Sequence, residues 1–306
     1  MNTSEDKRLR NDWVLLSGAI VFWGVNWPLM KIGLAEIGPL WFAAIRVALA
    51  ALTLFALLGL QGKLRRPQLE EASVLISVGV FQIGAFMALT HTAVQFVDAG
   101  RSAVLVYTTP IWVAPLAYWI LAERLNRTQL TGIMCAVVGV LVLFNPLTFL
   151  WQDADILLGN GLLICAAIVW AGVIVHVRSF GWTRPHLSVL PWQFAIGAAV
   201  LIPMAWLIEG TPNVPLTRQF VLIMAFNAIF ATAFAFWAYL RAAKTLPANT
   251  TAMASLGVPV VGIAASVVLI SETLNTELMT GLTCIILGQV IFHTKTIRNS
   301  KGTEQP

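Results

Sequence analysis

ERLNRTQLTGIMCAVVG, residues 123–139, and ETLNTELMTGLTCIILG, residues 272–288, are two versions of one segment, 149 positions apart. Glu123, Leu125, Asn126, Thr131, Gly132, Cys135 and Gly139 fall on Glu272, Leu274, Asn275, Thr280, Gly281, Cys284 and Gly288. Carried toward the N-terminus without a gap, the same shift puts Ala99 on Ala248, Ala103 on Ala252 and Pro110 on Pro259. Apolar composition accounts for matched Leu and Ala but not for matched Pro, Glu, Asn, Cys and paired Gly, so the chain reads as a duplication. Trp23 and Trp41 stand close to one unit from Trp170 and Trp192. The expected units are residues 1–145 and 146–306.

The composition says what the units are made of. The chain is 58% hydrophobic and 11% charged, against roughly 45–50% and about 25% in a soluble domain, and its mean hydropathy is +0.81. A soluble globule is excluded. A spanning helix needs about 20 apolar residues, and ten such segments can be marked: Trp13 to Ile32, Leu40 to Leu60, Ser73 to Thr92, Gly100 to Ala122, Thr128 to Asn145, Ile156 to Val177, Leu187 to Ile208, Phe220 to Arg241, Asn249 to Ile270 and Glu277 to Thr296. Their apolar residues run all round the helix, the pattern of membrane spans, and the alternation of an outer-membrane barrel is missing. The expected fold is an all-α membrane protein of ten transmembrane helices in two five-helix repeats.

Five crossings are an odd number, so the second unit enters from the opposite face. The repeats are therefore inverted, the arrangement in which secondary transporters expose a midplane site alternately to each side. Basic residues set the orientation. Fifteen of the 19 Lys and Arg, from Lys7 and Arg8 through Lys63, Arg65 and Arg241 to Lys301, fall before span 1 or after an even-numbered span. The opposite loops carry only Arg218, beside Glu36, Asp98, Asp153, Asp155, Glu209 and Glu272. Both termini are expected in the cytoplasm, and the net charge of +5 reports topology and an anionic inner leaflet. It gives no support to nucleic-acid binding, which wants a clustered basic face. No small-residue cleavage site follows span 1, which reads as a retained helix.

Phe22-Trp23-Gly24-Val25-Asn26-Trp27-Pro28 with Lys31, the lone Arg46 of span 2, and the twin Pro…Glu-x-Leu-Asn…Gly blocks resemble the EamA-like family of the drug/metabolite transporter superfamily over essentially the whole chain. The resemblance implies ten helices and export of small metabolites, often amino acids, from the bacterial inner membrane. It names no substrate. Uptake or exchange of another metabolite, such as a nucleoside or sugar derivative, stays open beside it.

Trp23, Asn26, Trp27, Met30 and Lys31 recur at i, i+3, i+4, i+7 and i+8 and share one face of span 1. An amide in hydrocarbon needs a partner, and Pro28 is expected to kink the helix and free backbone acceptors near Gly24. Two readings stay open: the wall of a substrate path, or a packing face with Asn26 as interhelical glue and the tryptophans as interfacial anchors. Gln82, Phe86 and Thr90 at steps of four, and Asn227, Phe230, Phe234 and Trp237 in span 8, predict two further faces, against plain packing as the alternative. Tyr107 and Trp170 are added as cavity walls. Arg46, about six residues or roughly 9 Å inside span 2, is expected on a carboxylate, from substrate or Asp98, or on backbone carbonyls. Arg101 is expected to pair with Asp98. Gly132, Gly139, Gly281 and Gly288 read as close-packing surfaces. The expected substrate-binding set is thus Trp23, Asn26, Trp27, Arg46, Gln82, Tyr107, Trp170, Asn227 and Trp237, with a small molecule as ligand and the lipid bilayer as surrounding partner.

Several chemistries lack residues. None of the 14 Asp and Glu lies near the middle of a span, so a buried carboxylate proton relay has no candidate. Cys135, Cys165 and Cys284 all lie in apolar segments, which supports neither disulfides nor zinc. No Walker-type loop is present, and nucleophile, base and metal constellations are missing from the spans. A pore ring repeated by symmetry is missing too. No enzyme activity, metal or cofactor is expected. His91 and His176, near span ends, are structural or carry protons. Oligomeric state is unspecified; a monomer suffices.

Overall fold

In lipid every backbone polar group must be paired within the protein, so long apolar runs close into helices. The computed structural model describes residues 3–122, 126–144, 153–180, 186–243, 246 and 254–300, and all their regular structure is helical. Seven helices are long and apolar enough to cross a membrane, by length and composition: α1 (Thr3–Gly33), α2 (Pro39–Leu60), α3 (Leu69–Val94), α4 (Ala99–Leu121), α6 (Ala154–Ser179), α7 (Leu187–Glu209) and α8 (Arg218–Ala242). Between and after them, shorter apolar helices α5 (Arg127–Phe144), α9 (Gly257–Ile270) and α10 (Thr276–Ser300) stand where spans 5, 9 and 10 are expected. Glu123, Arg124 and Leu125 of the first motif, and Ala248 and Ala252 of the second unit, lie outside the described residues.

The halves interlock through pairs that exchange under the repeat. α5 packs on α10 and α2 on α7, while α1 packs on α8 and α9 as α6 packs on α3 and α4. In the α5–α10 crossing a Cβ on Gly132 would sit 2.5 Å from the Gly288 carbonyl, and one on Gly139 2.7 Å from that of Gly281. Gly132 and Gly281 are repeat equivalents, as are Gly139 and Gly288, so the two helices are antiparallel about a pseudo-two-fold axis. Only glycine permits this approach. The α2–α7 pair obeys the same rule. The Trp41 indole donates to the Gly210 carbonyl beyond the end of α7, and the Trp192 indole to the Arg65 carbonyl beyond the end of α2, each at 2.9 Å. The repeats are inverted.

Local detail repeats as well. Pro110 removes the N–H that would bond the Val106 carbonyl, and α4 breaks at Tyr107 and Thr108. The Thr109 hydroxyl takes over the Val106 carbonyl at 2.8 Å. The second unit breaks at Leu256, one repeat from Tyr107 and just before Pro259. α4 ends on Ala122 with φ 54° and α9 on Ser271 with φ 53°, again one repeat apart. Asn126 and Asn275 then cap α5 and α10, their side-chain oxygens accepting from the Gln129 and Leu278 amides at 2.9 and 2.8 Å. Helix N-caps explain why that Asn occurs in both blocks.

α1 passes through Pro28 without interruption, so the expected kink does not break it. α3 and α8 instead carry the irregularity, as π-helices over Ser77–Ala85 and Phe226–Phe234, 149 residues apart at both ends.

Candidate functional site

Each half supplies aromatic rings that receive a tryptophan from the other. The half-buried Trp23 of α1 packs on Phe236 and Tyr239 of α8, with ring centroids 5.4 and 5.2 Å away. Trp170 of α6 packs edge-on against Phe86 of α3 at 4.8 Å and Tyr107 of α4 at 6.4 Å. Each tryptophan thus reaches into the opposite half. The break in α4 exposes the Tyr107 carbonyl, which accepts from the Gln289 amide at 2.9 Å.

Amides on α1 and α3, the helices that carry Trp23 and Phe86, have capacity to spare. Asn26 is buried and its Oδ1 has no partner. Gln82 is half-buried and makes no hydrogen bond to the described residues. Trp27 lies against Gly262 of α9. Unpaired amides inside a bundle are costly, and such groups orient a polar ligand.

Arg46 stands in a second cluster, 3% exposed. Its Nε donates to Thr232 Oγ1 at 2.7 Å, and Nη1 lies 3.4 Å from His91 Nε2 and 3.9 Å from Met30 Sδ. His91 Nδ1 is 2.6 Å from the Met87 carbonyl, which assigns it the ring proton and leaves Nε2 to accept from Arg46. Thr232 passes its own proton to the Asn227 carbonyl at 2.7 Å. Asn227, fully buried, donates to the Ile223 carbonyl at 2.9 Å and leaves Oδ1 unpaired. Arg46 therefore meets neither expected partner: among the described residues it touches no carboxylate and no backbone carbonyl. Asp98 bonds Lys31 instead at 3.3 Å. The reason is position, since Lys31 ends α1 beside the α4 N-terminus while Arg46 lies deeper.

Arg101 does not pair with Asp98 either; its guanidinium donates to the Leu143 carbonyl at the end of α5. At the mouth of α4, Glu272 accepts from the Ala99 and Gly100 amides at 2.6 and 2.9 Å and lies 3.9 Å from Lys31. Glu209 does the same for α2, through Leu40 and Trp41 at 2.8 and 3.0 Å. Carboxylates are favoured at helix N-termini, and here each comes from the other half. On the opposite side Arg65 pairs with Glu71, which holds the guanidinium above its ordinary pKa.

The faces expected on α3 and α8 are divided by the π-helices, whose i→i+5 bonds shift the phase of the helix beyond them. Asn227 is fully buried whereas Phe230 is 45% exposed, packed on Phe22. Thr90 spends its hydroxyl on the Phe86 carbonyl. Trp237 packs at a tilt on Phe234 and lies under Arg241, at 5.9 and 5.5 Å. Thr232, Phe236 and Tyr239 were not legible as site residues; only the wide turn aims them inward. Among the described residues no group of His, Cys, Asp and Glu could hold a metal.

Comparison with known proteins fits this architecture. The sequence model of the EamA-like transporter family matches twice, over residues 13–145 and 157–294. The chain is 28% identical over 271 residues to the uncharacterized transporter YoaV of Bacillus subtilis, covering 88% of this chain and 91% of that one. It is 27% and 28% identical to proteins of Salmonella typhimurium and Escherichia coli, each described as a "probable amino-acid metabolite efflux pump", with 92% of this chain and 94% of theirs covered. A solved crystal structure superposes with a TM-score of 0.67 at 17% identity, over 94% of this chain and 98% of that one, and shares the fold.

Proposed function

The chain belongs to the EamA-like transporter family, and we propose that it exports amino acids or closely related small metabolites by alternating access. It does so in the bacterial inner membrane with both termini in the cytoplasm. The observation that carries this is the reciprocal packing of Trp23 on Phe236 and Tyr239 and of Trp170 on Phe86 and Tyr107, each tryptophan seated on aromatic rings of the opposite half. Aromatic walls with a few unsatisfied amides suit a small amphiphile, whose apolar part packs on the rings while its polar groups pair with Asn26 and Gln82. Trp27 backs that wall from α1. Arg46, with Asn227 behind it, supplies positive charge for a carboxylate once its bonds to Thr232 and His91 rearrange. Trp237 lines the approach from the basic, cytoplasmic end. The two efflux relatives favour amino-acid metabolites as cargo and export as direction.

The test is efflux from proteoliposomes loaded with individual amino acids, with no imposed pH gradient. Saturable, structurally selective flux is expected, reduced in Trp23→Ala, Asn26→Ala and Gln82→Ala variants that remain folded. Normal flux in all three would remove the aromatic centre as the substrate site. Cysteines introduced near Asp153 should label from outside and those near Arg65 from inside; the reverse would overturn the orientation.

A further inference from the structure

A groove of about 310 Å³ runs down the outside of the bundle between α2 and α8, lined by none of the residues that pack on Trp23 or Trp170. Thr217, just before α8, donates to Glu36, just before α2, at 2.9 Å, so the two helices start at one face and run in parallel. Ile45, Leu49 and Thr53 form one wall and Val221, Ala225 and Ile229 the other. Each wall is a run of i, i+4, i+8, or about 12 Å, close to the ~15 Å of one hydrocarbon leaflet. The groove therefore has the length and direction of an acyl chain. Val214, Pro215 and Leu216, from the segment before α8, line its upper end.

Arg218 stands at that end. It lies one turn above Val221 on the groove face of α8, is exposed, and has no partner among the described residues. It is also the one basic residue in the loops of this side. Thr217 already caps this helix, its hydroxyl oxygen accepting from the Phe220 amide at 3.1 Å, but a cation in the first turn still opposes the macrodipole, and an anion placed there pairs with the guanidinium. The geometry points to a binding site for a single anionic phospholipid, its phosphate on Arg218 and one acyl chain in the groove. The site is independent of what the protein transports. Its inner wall includes the start of the α8 π-helix, so the chain braces the segment that presents Thr232 to Arg46.

Native mass spectrometry of the full chain in detergent, titrated with phosphatidylglycerol or phosphatidylcholine, tests the assignment. One phosphatidylglycerol per chain is expected at saturation, bound about fivefold more tightly than phosphatidylcholine, the effect of one basic residue at an anionic headgroup. Arg218→Gln should abolish that preference. Ala225→Phe fills the groove and should remove the bound lipid; Thr53→Phe does so from the opposite wall if the first variant does not fold. Equal binding of the two lipids by the unmodified chain, or lipid retained by a folded groove-filling variant, would overturn the proposal.

Discussion

The contact of α2 with the π-helix of α8 and the contact of α7 with the π-helix of α3 are the same contact under the repeat, built from opposite chemistry. In the first, Arg46 reaches Thr232 across the interface and both are buried. In the second, the counterparts are Gly197, by the match of Trp41 with Trp192, and Ile83. There the helices close on glycines: a Cβ on Gly79 would lie 2.6 Å from Ile196 Cγ2, and one on Gly197 would collide with Ile83. SVGVFQIGA and FNAIFATAF share one residue in register, Phe81 with Phe230, yet adopt the same wide helix. Duplication has kept the backbone geometry and let the polar content diverge. One interface is held by a hydrogen-bonded cation and the other by close packing of glycines on branched side chains.

Breaking the polar contact should have the largest effect. On the proposed function, Arg46→Met removes the charged donor for a substrate carboxylate, a bond worth ~1.5–3 kcal/mol, so substrate flux should fall about 10- to 100-fold. Exchanging a buried ion for an apolar chain is often neutral or stabilising, and the melting temperature should hold. Loss of fold with the flux would assign Arg46 to structure alone. The apolar contact should respond in the opposite way. Gly197→Leu overpacks the α7–α3 interface and should cost ~1–3 kcal/mol or more, read as lowered thermal stability in detergent; an unchanged melting temperature would show that this interface yields.

Thr232→Val sharpens the contrast by making the first contact resemble the second. It takes the acceptor from Arg46 Nε and should destabilise by about 1–2 kcal/mol, whereas Ile83→Val at the counterpart position should cost ~0.5–1.5 kcal/mol with transport preserved. Equal effects of the pair on flux would erase the asymmetry. The smallest change is expected at the rim. Asp98 is 71% exposed, so Asp98→Asn should alter stability by less than ~1 kcal/mol, and Lys31 keeps its 3.0 Å bond to the Val97 carbonyl. A large loss of flux in that variant would mark the Lys31–Asp98–Glu272 group as a working latch between halves.

Much of the architecture is written locally. Hydropathy and the 149-residue shift determine helical spans, two units and, by the odd number of crossings, their inversion, because membrane insertion reads each apolar segment largely on its own terms. The breaks at Pro110 and Pro259 and the glycine crossings arise from residues whose backbone effects are intrinsic. The pairing of Trp23 with α8 and of Arg46 with Thr232, 186 residues later, could not be read in that way. Nor could the trans caps of Glu209 and Glu272, or the exchange of Asp98 from Arg101 to Lys31. A side chain's partner is decided by which helices meet and in what rotation, and one extra residue in a π-turn re-aims every side chain beyond it. Local chemistry sets which segments form apolar helices and how they repeat; which buried polar groups find one another is set by the packing of those helices, because that choice is made between helices and not within them.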